Sequence, residues 1–134
     1  MRAVVLLAAV LLSACAVAPQ QGPRHTACTK ARVTFYKTGE DKWGRRVACS
    51  KKVRACEGVT VAAEKSVPFG TKVLIPALAG KVGDGVFTVQ DRGSAVEARK
   101  ASHGLLPVID VFVSRKTYRR LVNELESVME VIYE

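Results

Sequence analysis

From residue 31 onward, short apolar runs alternate with turn-forming residues. The runs ARVTFY (31–36), GVTVAA (58–63), TKVLIPAL (71–78), GVFTVQ (85–90) and VIDVFV (108–113) concentrate Val, Ile, Thr, Phe and Tyr, with Gly, Pro, Asp and Lys between them. Several short strands in close succession predict a mainly β fold, a small barrel or sandwich. The tail has a different period. Tyr118, Leu121, Val122, Leu125, Val128, Met129 and Ile132 fall at helical spacing, with Ser114 available as an N-cap. A C-terminal α-helix from about residue 115 is therefore expected, packed on the barrel or offered to a partner. Its basic residues lie in the first turns and its glutamates later, against the preference of the helix dipole.

Two of the apolar runs carry an acid. Strict alternation puts Phe87, Val89 and Asp91 on one face of their strand, and Val108, Asp110 and Phe112 on one face of theirs. Both faces of the second strand are apolar, so Asp110 interrupts a run that reads as buried. Asp91 stands at the end of its strand, in the turn signal DRG. A buried carboxyl costs several kcal/mol unless paired or hydrogen-bonded. Each acid therefore either accepts backbone N–H bonds that brace a turn or strand end, or serves as a carboxylic acid whose pKa an apolar pocket raises for general acid catalysis.

Residues 1–14 read as an export signal: Arg2, then an uncharged apolar run from Ala3 to Leu12 that is too short to span a bilayer. LSAC (12–15) resembles a lipobox, which would make Cys15 the lipidated N-terminus; ordinary cleavage after ACA (14–16) would discard Cys15. A lipid anchor holds a protein at a membrane without spanning it. Residues 15–30, with the Pro-, Gly- and Gln-containing stretch APQQGPRHTA (18–27), read as a tether, and residues 31–134 as one domain.

The 134 residues carry 21 Lys+Arg against 12 Asp+Glu, a formal charge of +9. Removal of Arg2 with the leader lowers it to +8. A basic exported domain fits an anionic polymer or membrane surface, or simple solubility. Export and the dispersal of the charges (KKVR 51–54, EARK 97–100, SRKTYRR 114–120) argue against nucleic acid. Among the cysteines beyond Cys15, Cys49 and Cys56 are nearest and a hairpin could join them; Cys28 remains odd and pairing with it stays open. His25, Cys28, Cys49 and Cys56 lack the close Cys-x₂₋₄-Cys spacing of structural zinc sites. No metal or cofactor is expected. Nucleophile elbows, phosphate loops and dinucleotide fingerprints are absent from the sequence.

VTVAAEKSVPFGTKVLI (59–75), VQDRG (89–93) and IDVF (109–112) occur in the order seen in double-psi β-barrel domains of bacterial cell-wall proteins. AAEKSVPFGTKV followed by DRG resembles rare lipoprotein A-like lytic transglycosylases, and QDRGSAV…IDVF is similar to the three-aspartate (3D) domain of other transglycosylases. VTFYKTGEDKWG (33–44) is similar to the first strand and glycine-bearing loop of both, and the resemblance covers roughly residues 31–118. It implies a small six-stranded double-psi barrel, a monomer at the periplasmic face of a membrane in the bacterial envelope, acting on peptidoglycan glycan strands. It implies Asp110 as general acid/base, with Asp91 flanking the same groove. One carboxyl that first gives and then takes a proton suffices, because the muramic acid 6-hydroxyl, not water, closes onto C1. A non-catalytic glycan-binding barrel is the alternative.

The resemblance also places Tyr36, Glu64 and Arg92 at the substrate. Glu64 stands where relatives carry histidine or aspartate. Trp43, the one tryptophan, either stacks on a sugar face or caps the core. The link SAVEARKASHGLLPV (94–108) is longer than the family's. It reads as a surface loop or as a flap that brings His103 and basic residues to the glycan.

Overall fold

The strands pair in an order far from their order along the chain. The structure is a computed structural model and describes residues 27–39, 44–121, 123–124 and 128–134. The elements are β1 (Ala27–Tyr36), β2 (Arg46–Val47), β3 (Ser50–Arg54), β4 (Thr60–Ala63), β5 (Lys72–Leu74), β6 (Val86–Asp91), β7 (Val108–Phe112), α1 (Arg115–Leu121) and β8 (Val128–Tyr133), with 3₁₀ turns at Pro76–Leu78 and Glu97–Ser102. Six strands close a mixed barrel in the order β1-β7-β4-β6-β5-β8, and β2-β3 form a separate hairpin. β1 runs parallel to β7 and β4 parallel to β6; the other barrel pairs are antiparallel. The mainly β, six-stranded barrel expected from the sequence is what forms.

Alternation explains the core. Val61 and Ala63 of β4, Val73 of β5, Phe87 and Val89 of β6, Ile109 and Val111 of β7 and Val131 of β8 all point inward and are fully buried. Ile75, Leu78 and Val82 plug one side through the Pro76–Leu78 turn. Gly85 must be glycine there: its φ is 81°, and a Cβ would lie 2.9 Å from Ala79 N and 3.0 Å from Ile75 O.

The tail departs from its helical spacing. α1 starts where expected, with the Thr117 N–H donating to Ser114 Oγ at 3.2 Å, but it ends at Leu121. Val128–Tyr133 form a strand whose Met129 and Val131 are buried while Val128 and Glu130 are exposed. Both β1 and β5 need a partner on their open edge, and β8 bonds to both. The cost of two unpaired edges outweighs a weak helical period. Pairing with β8 also draws β1 back to Ala27, so residues 27–30, read from sequence as tether, are strand.

The apolar outer face of β7 has a cause as well. Val108 packs with Ala62 and Val96 beneath the 93–107 loop, and Phe112 packs with Val47 and Ala55 of the hairpin region. Asp110 lies between these two patches.

Candidate functional site

A bulge decides where Asp91 points. Val61 pairs with Val89, but Ala62 pairs with Asp91, so Gln90 is the extra residue. Strict alternation would have sent Asp91 inward with Phe87 and Val89; the bulge turns it to the outer face. Ala62 also pairs with Asp110 on its other side, and Asp110 pairs with Thr34. Thr34, Asp110, Ala62 and Asp91 thus form one row across β1, β7, β4 and β6. With strands about 4.8 Å apart, the two acids' backbones are about 10 Å apart.

Alternate residues of β1 hold one acid each. Thr34 Oγ1 donates to Asp110 Oδ1 at 2.8 Å. The Tyr36 hydroxyl donates to Asp91 Oδ2 at 3.0 Å. Tyr36 reaches β6 by lying across the outer face, packed against the cluster containing Ala62 and edge-on to Phe112 at 5.3 Å between ring centres. Asp91 Oδ1 accepts two further bonds, from the N–H groups of Ala48 and Arg92, both at 2.9 Å. The acid therefore braces the strand end and docks the β2–β3 hairpin against the barrel. Cys49 N–H to Gln90 O at 2.9 Å adds a second tie from the hairpin to the bulge.

Beside Asp91 opens a cavity of about 570 Å3, lined by hairpin residues Arg46, Val47, Ala48, Lys51 and Arg54 together with Asp91 and Arg92. Arg92 is oriented by a bond from Nη2 to Val67 O at 2.8 Å and lies over the Phe69 ring at 4.0 Å. Arg46, Lys51, Arg54 and Phe69 did not emerge as site residues from sequence. Basic pairs on either side of the 48–49 turn were the available signal, but they looked dispersed because their convergence depends on the hairpin.

Of the residues expected at the substrate, Tyr36, Asp91 and Arg92 come together at this cavity's edge. Asp110 shares their face but not the cavity wall. Glu64 goes elsewhere: its two carboxylate oxygens accept from Arg99 Nε and Nη2, both at 3.2 Å, and it borders a separate cleft of about 340 Å3 with Lys65, Ser66, Glu97 and Ala98. Its carboxylate raises the pKa of the Arg99 guanidinium, mainly by hydrogen bonding. Burial, and secondarily the Glu64 charge, pushes Tyr133 above the ordinary phenol range.

The 93–107 loop packs as a wall along this face. Val96 is fully buried against Ala62 and Val108, and Ser102 Oγ accepts the Leu106 N–H at 3.1 Å. His103 is exposed and ends the 3₁₀ turn at φ 53°. Cys28, Cys49 and Cys56 are free thiols. Cys49 sits in the hairpin turn and Cys56 lies beyond its open end. The Ser50–Arg54 strand between them spans about 13 Å, well past the roughly 7 Å limit for a disulfide between Cα atoms. Trp43, His25, Cys15 and the leader lie outside the described residues. Among the described residues no helix is long and apolar enough to cross a membrane. Neither a protein-family model nor a curated protein matches the chain.

Proposed function

We propose that this is a double-psi barrel of the cell-wall kind, held in the bacterial envelope through Cys15, that cleaves peptidoglycan glycan strands as a lytic transglycosylase. The observation that carries this reading is the row Thr34–Asp110–Ala62–Asp91, which turns both acids onto one outer face beside a cavity of sugar dimensions. Asp110 is the proton carrier. Its carboxylic acid protonates the glycosidic oxygen as the C1–O bond breaks. The resulting carboxylate then takes the proton of the muramic acid 6-hydroxyl as that oxygen bonds to C1. The acid is regenerated, no water is consumed, and the product carries a 1,6-anhydro ring. Thr34 orients Asp110. Tyr36 and Asp91 hold the hairpin wall, and Arg92 stacked on Phe69 offers a flat face to a sugar ring.

Digestion of purified sacculi by wild type and by Asp110→Asn tests this. Wild type is expected to release anhydro-muropeptides, read by mass spectrometry, and the variant to lose at least about a hundredfold of the rate, within the range for removal of a general acid. Absence of anhydro products from wild type would sink the enzymatic reading. A second reading, a non-catalytic glycan-binding barrel, is favoured by one observation: both oxygens of Asp91, the acid at the cavity, are engaged by protein donors. Sacculus pull-down that persists in Asp91→Asn and Asp110→Asn, with no product from wild type, would select it.

A further inference from the structure

The cavity beside Asp91 carries more positive charge than the cleavage chemistry uses. Four cationic side chains, Arg46, Lys51, Arg54 and Arg92, face one carboxylate. That carboxylate accepts from two backbone N–H groups and a phenol, none of them a cationic side chain. The Glu64–Arg99 ion pair lies at a separate cleft, and none of the four cations takes part in it.

Two of the four are pre-positioned by neutral partners. Arg54 Nη1 donates to the carbonyls of Lys51 and Val53 at 2.7 and 3.1 Å. Arg92 donates to Val67 O and lies over Phe69. Bonding to carbonyls orders a guanidinium without neutralising it, so its field remains directed at the cavity. Arg46 and Lys51 are exposed on the facing hairpin.

We propose that this cavity is a carboxylate-binding subsite, which recognises the acidic substituent of the glycan: the lactyl carboxylate of muramic acid or a carboxylate of its stem peptide. The proposal rests on the glycan reading above and names the group that reading leaves unassigned. Guanidinium pairs match carboxylate geometry in bidentate fashion. Asp91 contributes one negative charge against the four cations, so the wall stays net positive toward an incoming anion. Along the chain, Asp91 and Arg92 tie this subsite to the row that holds Asp110. Binding a muramic acid carboxylate here would therefore fix which sugar lies over the acid row.

The test begins with a monosaccharide titration of the isotope-labelled protein at neutral pH, read at the backbone amides of Ala48 and Arg92. N-acetylmuramic acid is expected to bind about tenfold or more tightly than N-acetylglucosamine, which lacks the lactyl carboxylate. Arg46→Gln combined with Lys51→Gln is expected to remove that preference. Equal responses to the two sugars combined with no charge-dependent binding of stem-bearing strands, an unaltered preference in the double variant, or a stronger response to inorganic phosphate than to N-acetylmuramic acid would each overturn the proposal.

Polymer binding then separates the two carboxylate sources. Charge-dependent binding of amidase-denuded strands assigns the lactyl group. Charge dependence confined to stem-bearing strands assigns the peptide. Uncharged chitooligosaccharides are the reference for both. The sacculus digestion reports on the glycan reading by itself. Sacculi left uncut alongside a clear carboxylate preference would remove the enzyme and keep the subsite; sacculi cut with no carboxylate dependence in either the monosaccharide or the polymer experiment would remove the subsite alone.

Discussion

Tyr133, half-buried at the end of β8, senses both its burial and the charge of Glu64, and both raise its pKa. Below the free phenol value of about 10 it is protonated folded or unfolded and adds no pH dependence. Above that value the unfolded chain ionises first, so stability falls as pH rises toward the folded-state value. Tyr133→Phe is therefore expected to flatten the loss of stability above about pH 10 and to leave the profile near neutrality unchanged, as read by urea unfolding across pH. An equally steep alkaline limb in the variant would contradict the account. At this same scale the acids were visible in sequence, because a carboxylate inside an apolar run is a local anomaly. Glu64 was legible as an acid but not as Arg99's partner, since the two are thirty-five positions apart and meet only through the loop's path.

The 93–107 segment shows what an element adds. In sequence it is an over-long link; in the fold it is a wall pinned by Val96 and by the Glu64–Arg99 pair. Pinning comes with backbone strain. Ala98 and Arg99 occupy left-handed conformations at φ 51° and 55°, each disfavoured for an L-residue by about 1–2 kcal/mol. Ala98→Gly relieves one of them, offset by about 0.4–1 kcal/mol of added unfolded-chain entropy. A net stabilisation of about 0.5–1 kcal/mol is expected, seen as a rise of a few degrees in melting temperature. A fall would mean the Ala98 methyl group makes contacts that matter more than the strain. Here also lies the reason the β2–β3 hairpin hid its role: two strands of two and five residues carry little periodicity, yet they gather three of the four cavity cations.

For the molecule as a whole, closure is the governing event. β8 bonds to β1 on one side and β5 on the other, so its removal opens both edges at once. Deletion of residues 128–134 is expected to abolish cooperative thermal unfolding. The milder Val131→Ala, at a fully buried core position, is expected to destabilise the barrel by about 1.5–3 kcal/mol by denaturant titration. A truncated chain that still melts cooperatively would show that the tail is an accessory. The helical spacing of the tail suggested such an accessory.

What the sequence determined alone were the strands β1, β4, β5, β6 and β7, the Ser114 cap and the presence of two misplaced acids. Alternation, turn chemistry and capping act over a few residues and leave their mark in order along the chain. The tertiary structure decided three things. It turned the tail into the closing strand, because unpaired edges demand a partner. It rotated Asp91 outward through the Gln90 bulge, because β4 offers one residue where β6 presents two. And it assembled the basic cavity from a hairpin and a strand end forty residues apart, because only barrel closure brings them face to face.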